Sequence, residues 1–269
     1  MNDFSYNPEG SALRRDQKEL LRMLNVVSEI CKKNNITWWL SSGTLLGAAR
    51  HKGFIPWDDD MDIVMLRKDY LKFEKICSKC LNEEFIFHSM KTDVDYVNFF
   101  GKIRKKKGSV QSSNSRYNYY KWKGIGLDVF SIEKTNYFSA FVSQWIYSHM
   151  QSVTCNIKQN WLRQGLIRII EDINIYLIHP LLRLIGLINP NNEYHYSLGT
   201  GWSNHTFLME NTFPLSTTEF EGKLMPVPRN MDAYLTLVYG DWRTMPSDED
   251  IKKSIHCLEY RKEIFGDEF

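Results

Sequence analysis

Apolar residues return at three- to four-residue steps in the N-terminal part of the chain, and this spacing predicts a helix over residues 11–34. A short apolar run at 36–40 predicts a buried strand, and the turn after it opens a short helical segment over 45–50. The apolar run at 61–66 predicts a central strand, and helical spacing resumes over 68–81. Strands and helices therefore alternate in this part of the chain.

The middle of the chain is also predicted to contain both strands and helices. Further strands are predicted at 85–87, 96–103 and 126–130, with a polar and aromatic loop at 109–123 between them. Residues 137–190 have the pattern of a mostly helical segment.

The tail from about residue 200 combines short strands and proline-bounded turns with one helix near 231–239. Because strands and helices are intermixed without βαβ regularity, the pattern predicts an α+β fold, a mixed β-sheet core flanked by helices with a helical insertion. No repeat and no Gly- or Ser-rich linker divides the chain. We expect a single domain over 1–269, with a core at about 10–135 plus 200–269 and a helical subdomain at about 136–199.

Composition narrows the class of protein. The 269 residues are 43% hydrophobic with a formal net charge of +2, which excludes a disordered chain and argues against a protein that only coats nucleic acid. Five cysteines without a disulfide-like spacing favour a reducing compartment. Cys77 and Cys80 have the spacing of half a zinc site, but no second pair exists, so helix packing is favoured for them.

The chain has no predicted membrane span. Its N-terminus has no apolar stretch of the kind found in signal peptides, and we expect a cytoplasmic protein. The apolar segment 165–190 is interrupted by charged residues, so a spanning helix is not expected. It suits either a buried helix pair or a helix lying on a membrane surface, and packing into the core is the favoured alternative.

Four carboxylates lie within five residues, at Asp58, Asp59, Asp60 and Asp62, directly before an apolar run. In an extended chain Asp58, Asp60 and Asp62 would share a face and Asp59 would point the other way. Crowded carboxylates repel one another unless a cation neutralises them, and a hard divalent ion such as Mg²⁺ is the natural partner. A solvated acidic loop and a structural acidic patch remain alternatives. A calcium loop would need glycine where Ile63 stands.

Residues on either side of this cluster add candidate chemistry. The turn Ser42-Gly43-Thr44 precedes a helix, where free N–H groups attract phosphate, and Arg50, His51 and Lys52 add positive charge. Asp128 lies alone in an apolar strand, which predicts either a salt bridge or a third metal ligand from a neighbouring strand. The basic run 102–107 is interpreted as a solvated strand end, with RNA binding as the alternative.

The segment from Ser42 to Asp62, with its Gly-Thr-Leu-Leu-Gly and Trp-Asp-Asp-Asp-Met-Asp elements, closely resembles the signature of the LicD family. That family has a nucleotidyltransferase-like fold shared with the fukutin-related sugar phosphotransferases. Asp128 in Gly-Leu-Asp-Val-Phe, the segment 220–228 and Tyr239-Gly-Asp-Trp extend the resemblance over most of the chain. It is weakest across 135–200.

The resemblance implies transfer of phosphocholine from CDP-choline to a sugar hydroxyl of a cell-surface glycopolymer precursor, a teichoic acid or a lipopolysaccharide, with release of CMP. Asp60, Asp62 and Asp128 would then be the catalytic residues and would bind Mg²⁺ or Mn²⁺, with Asp58 in support. Ser42, Gly43 and Thr44 would line the phosphate site. The cysteine zinc loop of some fukutin-related relatives has no counterpart, so no zinc is expected.

The same resemblance suggests further substrate contacts. Arg50, His51 and Lys102 would hold phosphate oxygens, and Trp57 with one aromatic residue of 117–122 would recognise the choline cation. The expected partners are CDP-choline and a glycan or lipid-linked glycan acceptor, not nucleic acid. A lipid-linked acceptor would bring the protein to the inner face of the membrane by peripheral contact. Alternatives are a related transferase that moves another phospho-group, a nucleotidyltransferase acting on RNA or a small molecule, and a catalytically silent binding module.

Overall fold

Six strands form a mixed sheet at the centre of the computed structural model, which describes residues 6–110, 115–201 and 205–265. The strands lie in the order β1-β2-β5-β4-β3, and β6 pairs with the end of β5. Only β2 and β5 are parallel, and every other pair in this sheet is antiparallel. The strands are β1 Trp38–Leu40, β2 Asp62–Leu66, β3 Phe85–His88, β4 Gly101–Lys105, β5 Gly126–Lys134 and β6 Tyr194–Tyr196.

Helices cover the sheet, and a separate hairpin packs beside it. A π-helical turn occupies 174–178, and a 3₁₀ turn occupies 115–118. The hairpin consists of β7 Ser216–Phe220 and β8 Lys223–Val227. The helices are α1 Ala12–Asn34, α2 Ser42–His51, α3 Arg67–Cys80, α4 Tyr137–Cys155, α5 Asn160–Ile173, α6 His179–Gly186, α7 Met209–Thr212, α8 Met231–Tyr239, α9 Asp248–Ser254 and α10 Leu258–Phe265. Within the described ranges, no helix has the length and apolar character needed to cross a bilayer.

Helix α1 is defined by a cap at each end and by one buried apolar face. Ser11 caps α1 because its side chain accepts a hydrogen bond from the backbone N–H of Arg14, and Asn35 ends the helix in the left-handed conformation. The apolar stripe that includes Leu20, Leu24 and Val27 is fully buried in the main core. Burial of this stripe is what makes the helix stable, since an isolated helix gains little from propensity alone.

The α+β class predicted from the sequence is confirmed, with differences in detail. Helix α2 begins at Ser42 rather than at 45, and β4 is shorter than the predicted strand 96–103. The pattern did not predict β6 or the last two helices, α9 and α10. Residues 111–114 of the predicted 109–123 loop lie outside the described residues.

A helical hairpin lies on one side of the sheet, formed by α4 and by the run from α5 to α6. Its inner face is unusually polar: Arg163 is 3% exposed and its Nε donates to Asp95 Oδ1 over 2.8 Å, and the Ser139 hydroxyl donates to the Leu182 carbonyl. Of the large apolar residues in 165–190, only Ile167 and Leu182 are buried. The expectation that this segment packs into the core is therefore wrong.

Two glycine substitutions test this packing with opposite expected signs. A Cβ on Gly47 of α2 would lie 2.5 Å from the carbonyl oxygen of Gly53 and 2.9 Å from the nitrogen of Ile55, so the backbone of that loop would have to move. We expect Gly47→Ala to lower the free energy of unfolding by about 1–3 kcal/mol. A Cβ on Gly165 of α5 meets nothing within 4 Å, and Gly165→Ala should raise the same quantity by about 0.5–1 kcal/mol. Urea denaturation measures both, and equal shifts of one sign would contradict this account of α2.

Candidate active site

Two aspartates meet where the parallel strands begin. Asp62 opens β2 and is the register partner of Asp128 on β5, so both side chains lie on the same face of the sheet. The backbone N–H of Asp128 donates to the Met61 carbonyl over 2.7 Å, which joins the strands just before the pair. Asp62 is 8% exposed and Asp128 7% exposed. The chain thus buries two neighbouring carboxylates at one edge of its core.

The turn before α2 holds the start of β2. The Thr44 hydroxyl oxygen accepts the backbone N–H of Asp62 over 2.8 Å, and the backbone N–H of Ser41 donates to the Asp62 carbonyl over 3.2 Å. Ser42 has a positive φ of 47° and its side chain hydrogen-bonds to the Asp62 carboxylate. Ser42 therefore faces the carboxylates, whereas the buried Thr44 supports the backbone.

Gly43 makes room for a third carboxylate. A Cβ at Gly43 would lie 2.8 Å from Asp58 Oδ2, so any other residue would push Asp58 away. Gln17, which is distant in sequence, holds the acidic loop: its Nε2 donates to the Asp58 carbonyl over 2.9 Å. Gly43 thus contacts Asp58, and it is Ser42, not Gly43 or Thr44, that lies along the cleft wall.

Asp59 and Asp60 meet the C-terminal part of the chain. The backbone N–H of Cys257 donates to Asp59 Oδ2 over 2.6 Å, and His256 Nε2 lies 3.7 Å from Asp60 Oδ2. One ligand atom from each of Asp59, Asp60 and His256 falls within 4.8 Å of the others. The expected alternation, with Asp59 on the opposite face, does not hold because the strand begins only at Asp62. Asp59, Asp60 and Asp62 all line the cleft.

Burial and mutual repulsion act on these carboxyls. Burial raises the pKa of Asp62 well above its usual range, and the nearby charges of Asp60 and Asp128 raise it further. Burial likewise raises the pKa of Asp58, with repulsion from Asp60 and Asp59. Carboxylate oxygens that resist ionisation in this way fit a hard divalent cation, because its charge removes the repulsion. Among the described residues, the group whose ligand atoms lie close enough together to share an ion is Asp59, Asp60 and His256, beside the Asp62–Asp128 pair.

A lysine partly neutralises the pair. Lys102 of β4 is the register partner of Asp128, and its Nζ lies 2.5 Å from Asp128 Oδ1. Burial acts to lower the pKa of Lys102, but the Asp128 carboxylate, together with Tyr117, outweighs burial and the pKa is raised. Burial raises the pKa of Asp128, and Lys102 opposes that effect. A row of charges, acid–acid–base, therefore crosses three neighbouring strands.

These side chains form the floor of a cleft of about 730 Å³. Its wall also contains aromatic rings, among them Phe100, Phe130 and Tyr196, and includes Tyr117 and Tyr120 from the predicted 117–122 segment. Phe130 follows Asp128 by two residues on β5, so it lies on the same face of the sheet. The cleft therefore offers carboxylates, buried cations and aromatic surface side by side.

Three residues expected at the site lie elsewhere. Arg50 Nη2 donates to the Thr244 carbonyl over 2.8 Å, and His51 lies 6.5 Å from Trp57 between ring centroids. Trp57 is 5% exposed and packs edge-on against Tyr6. None of the three belongs to the described residues that line the cleft. The last turn of α2 carries Arg50 and His51 away from its opening, and Trp57 lies beyond that helix, buried in the core.

Two further lining residues were missed by the sequence analysis. Arg104 follows Lys102 by two residues on β4, so strand alternation would have put both on the cleft face. The basic run was interpreted there as a solvated strand end, yet Arg104 is 1% exposed. His256 follows Asp60 by nearly two hundred residues, and no local pattern identifies it.

The raised pKa values give a test of the carboxylate cluster. Because the folded-state pKa of Asp62 lies above that of the unfolded chain, its contribution to stability is complete below about pH 4 and is lost as the pH rises. In EDTA at neutral pH we expect Asp62→Asn to raise the melting temperature by about 2–4 °C, and the gain should shrink toward pH 4. Thermal unfolding across this range measures it.

Mg²⁺ should then raise the melting temperature of the parent protein but not that of Asp62→Asn. Asp172→Asn, at an exposed position of α5, is the matched control. It should change neither the melting temperature nor its response to Mg²⁺. A gain in Asp62→Asn that is independent of pH and unaffected by the cation would contradict the cluster's electrostatics.

Comparison with known proteins finds similarity to one family. The family model described as LicD/FKTN/FKRP, nucleotidyltransferase domain, matches residues 35–166, which include Ser42, the acidic loop, Lys102 and Asp128. The lipopolysaccharide cholinephosphotransferase LicD of Haemophilus influenzae is 26% identical over 260 residues, covering 89% of this chain and 94% of that protein. An uncharacterised protein of Rickettsia typhi is 47% identical over 57 residues, covering 21% of this chain and 18% of its own length. Another from Rickettsia prowazekii is 35% identical over 98 residues, covering 29% and 37%. Together with the signature from Ser42 to Asp62, the family model over 35–166 and the Haemophilus relative support a LicD family member.

Proposed function

We propose that the protein transfers phosphocholine from CDP-choline to a sugar hydroxyl of a cell-surface glycopolymer precursor, a lipopolysaccharide or a teichoic acid, and releases CMP. The observation that carries the proposal is the buried Asp62–Asp128 pair on adjacent parallel strands, with Lys102 beside it at the floor of an open cleft. Family membership and the name of the Haemophilus relative support the choice of phosphocholine.

Asp60, Asp62 and Asp128 would hold the divalent cation. When bound, Mg²⁺ or Mn²⁺ would neutralise charge on the phosphate that is attacked, which is the main requirement of phosphoryl transfer. This fits the raised pKa values of Asp62 and Asp128, which burial causes and repulsion from Asp60 increases, since a cation would relieve that repulsion.

The chain's own groups would organise the transfer. The acceptor hydroxyl attacks the phosphorus that carries choline, the new P–O bond forms as the bond to CMP breaks, and the hydroxyl proton passes to Asp128. Lys102, held by Asp128 in the resting site, would also contact phosphate oxygens.

Aromatic rings in the cleft would recognise the choline cation. The Phe100 and Phe130 centroids lie 4.6 Å apart, and Tyr196 lies 5.7 Å from Phe130, one step along β5 from the carboxylates. We therefore propose these rings, and not Trp57, as the choline contact. Tyr117 and Tyr120 lie on the same cleft wall.

Transfer gives the direct test. With CDP-choline, Mg²⁺ and a lipopolysaccharide acceptor, Asp62→Asn should release CMP roughly 10²- to 10³-fold more slowly, the usual cost of losing one preorganised electrostatic partner. EDTA should have a comparable effect on the parent protein. Asp172→Asn should keep full activity because it is exposed on α5, outside the cleft.

Donor choice separates this proposal from its nearest alternative. CMP release should require CDP-choline, and faster turnover of a CDP donor that carries another phospho-group would overturn the choline assignment. Release by Asp62→Asn at the parental rate would overturn the metal role.

The outer face of the helical hairpin supports a peripheral site of action on the inner face of the membrane. Trp161 is 77% exposed, Tyr176 78% and Leu187 78%. No acidic residue occurs between Asp172 and Glu193. We propose that this face contacts an anionic bilayer, because exposed Trp and Tyr with aliphatic residues suit the lipid interface and the exposed Lys158 and Arg168 suit anionic headgroups.

Sedimentation with phosphatidylethanolamine–phosphatidylglycerol vesicles tests this contact. Leu187→Ser should lower binding by roughly tenfold, as expected for one leucine removed from the lipid. Leu224→Ser is the matched control, since Leu224 of β8 is 74% exposed but lies outside the hairpin. Absence of vesicle binding, or a dimer by light scattering that Leu187→Ser dissolves, would overturn the membrane proposal.

A further inference from the structure

Arg104 is a buried cation that the proposed mechanism has not used. It lies on β4 opposite Gly126 of β5, is 1% exposed and lines the cleft. Its Nη1 donates to the Gly124 carbonyl over 2.7 Å. Its Nε and Nη2 have no hydrogen-bond partner among the described residues.

The surroundings do not supply an anion for this guanidinium. Asp128, the nearest acid across the strands, already pairs with Lys102, which is itself a like charge on the same face of β4. The ring of Tyr117 lies 5.2 Å from Arg104 Cζ, and Lys102 and Arg104 lower the pKa of its hydroxyl, so the neighbour of the guanidinium is a phenol rather than a free carboxylate. A buried charge with two unfilled donors is costly unless a ligand completes it.

The cleft has room for such a ligand. Gly124 and Gly126 line it next to Arg104, and neither has a side chain that could cover the guanidinium. Along the strands, the order is Phe130 and Phe100, then Asp128 with Lys102, then Gly126 with Arg104. Two strand residues span roughly 7 Å, a distance that a long side chain bridges easily.

We propose that Arg104 binds the phosphate of the leaving nucleotide, so that a nucleoside diphosphate lies along the strands with its outer phosphate at the carboxylates. The proposal rests on the proposed function and adds the direction in which the donor lies. The planar fork of arginine matches two phosphate oxygens, which a lysine at this position could not do. The choline end then points toward Phe100 and Phe130, and the nucleotide toward Gly126.

Calorimetric titration with CDP in the presence of Mg²⁺ tests this assignment directly. We expect Arg104→Gln to weaken CDP binding at least tenfold while cytidine, which has no phosphate, binds parent and variant equally. Lys107→Gln removes the same charge from an exposed position of the same basic run and should leave CDP affinity unchanged. Arg104→Lys keeps the charge but loses the fork, and should fall between parent and Arg104→Gln.

Two outcomes would overturn the inference: parental CDP affinity in both Arg104 variants, or equal losses of CDP and cytidine affinity, which would indicate a structural role only. Should Arg104→Gln fail to fold, Arg104→Lys carries the same comparison. Binding of CDP needs no choline, so Arg104-dependent binding without phosphocholine transfer would leave this inference standing while the proposed function fails.

Discussion

Repulsion between two buried carboxylates, Asp62 and Asp128, is the constraint around which the rest of the site is arranged. Adjacent positions on parallel strands force them together, and water cannot screen them there. Lys102 lies against one and Ser42 hydrogen-bonds to the other, but burial still raises the pKa values of both acids. The fold thus keeps an electrostatic cost that a bound cation and a phosphate would remove, as functional sites commonly do.

Hydrogen bonds and close packing hold the backbone of the site in place against this repulsion. Thr44 accepts the N–H that begins β2, and Gly43 lets Asp58 approach the start of α2. Gly47 lets the same helix lie directly on the loop that leads to the acids. The glycines and the threonine of the segment from Ser42 to Asp62 therefore hold in position carboxylates that repel one another.

Local pattern predicted much of this arrangement. An apolar run after Asp62 and another around Asp128 predict two buried strands that each carry an acid near the start, whereas the parallel pairing of these two strands is a property of the folded sheet. Proximity in sequence was misleading for Arg50 and His51, because a helix turns its last residues away from the point where it starts. It was misleading for Trp57 because that ring packs into the core beyond the helix. Arg104 needed strand alternation to be applied to a run that looked solvated. The contact of His256 with Asp60 depends on the folded tail, which short-range periodicity does not encode.

The acidic loop is fastened by both ends of the chain. Gln17 from α1 holds the Asp58 carbonyl, and the backbone of Cys257 holds the Asp59 carboxylate. Tyr260 of α10 in turn donates its hydroxyl to Asp16 of α1, which joins the two ends to each other. During synthesis the ribosome makes the acidic loop some two hundred residues before Cys257, whose backbone N–H binds the Asp59 carboxylate. A nascent chain therefore has the acids long before it has their final geometry, and the site matures only when the tail has emerged and closed over it.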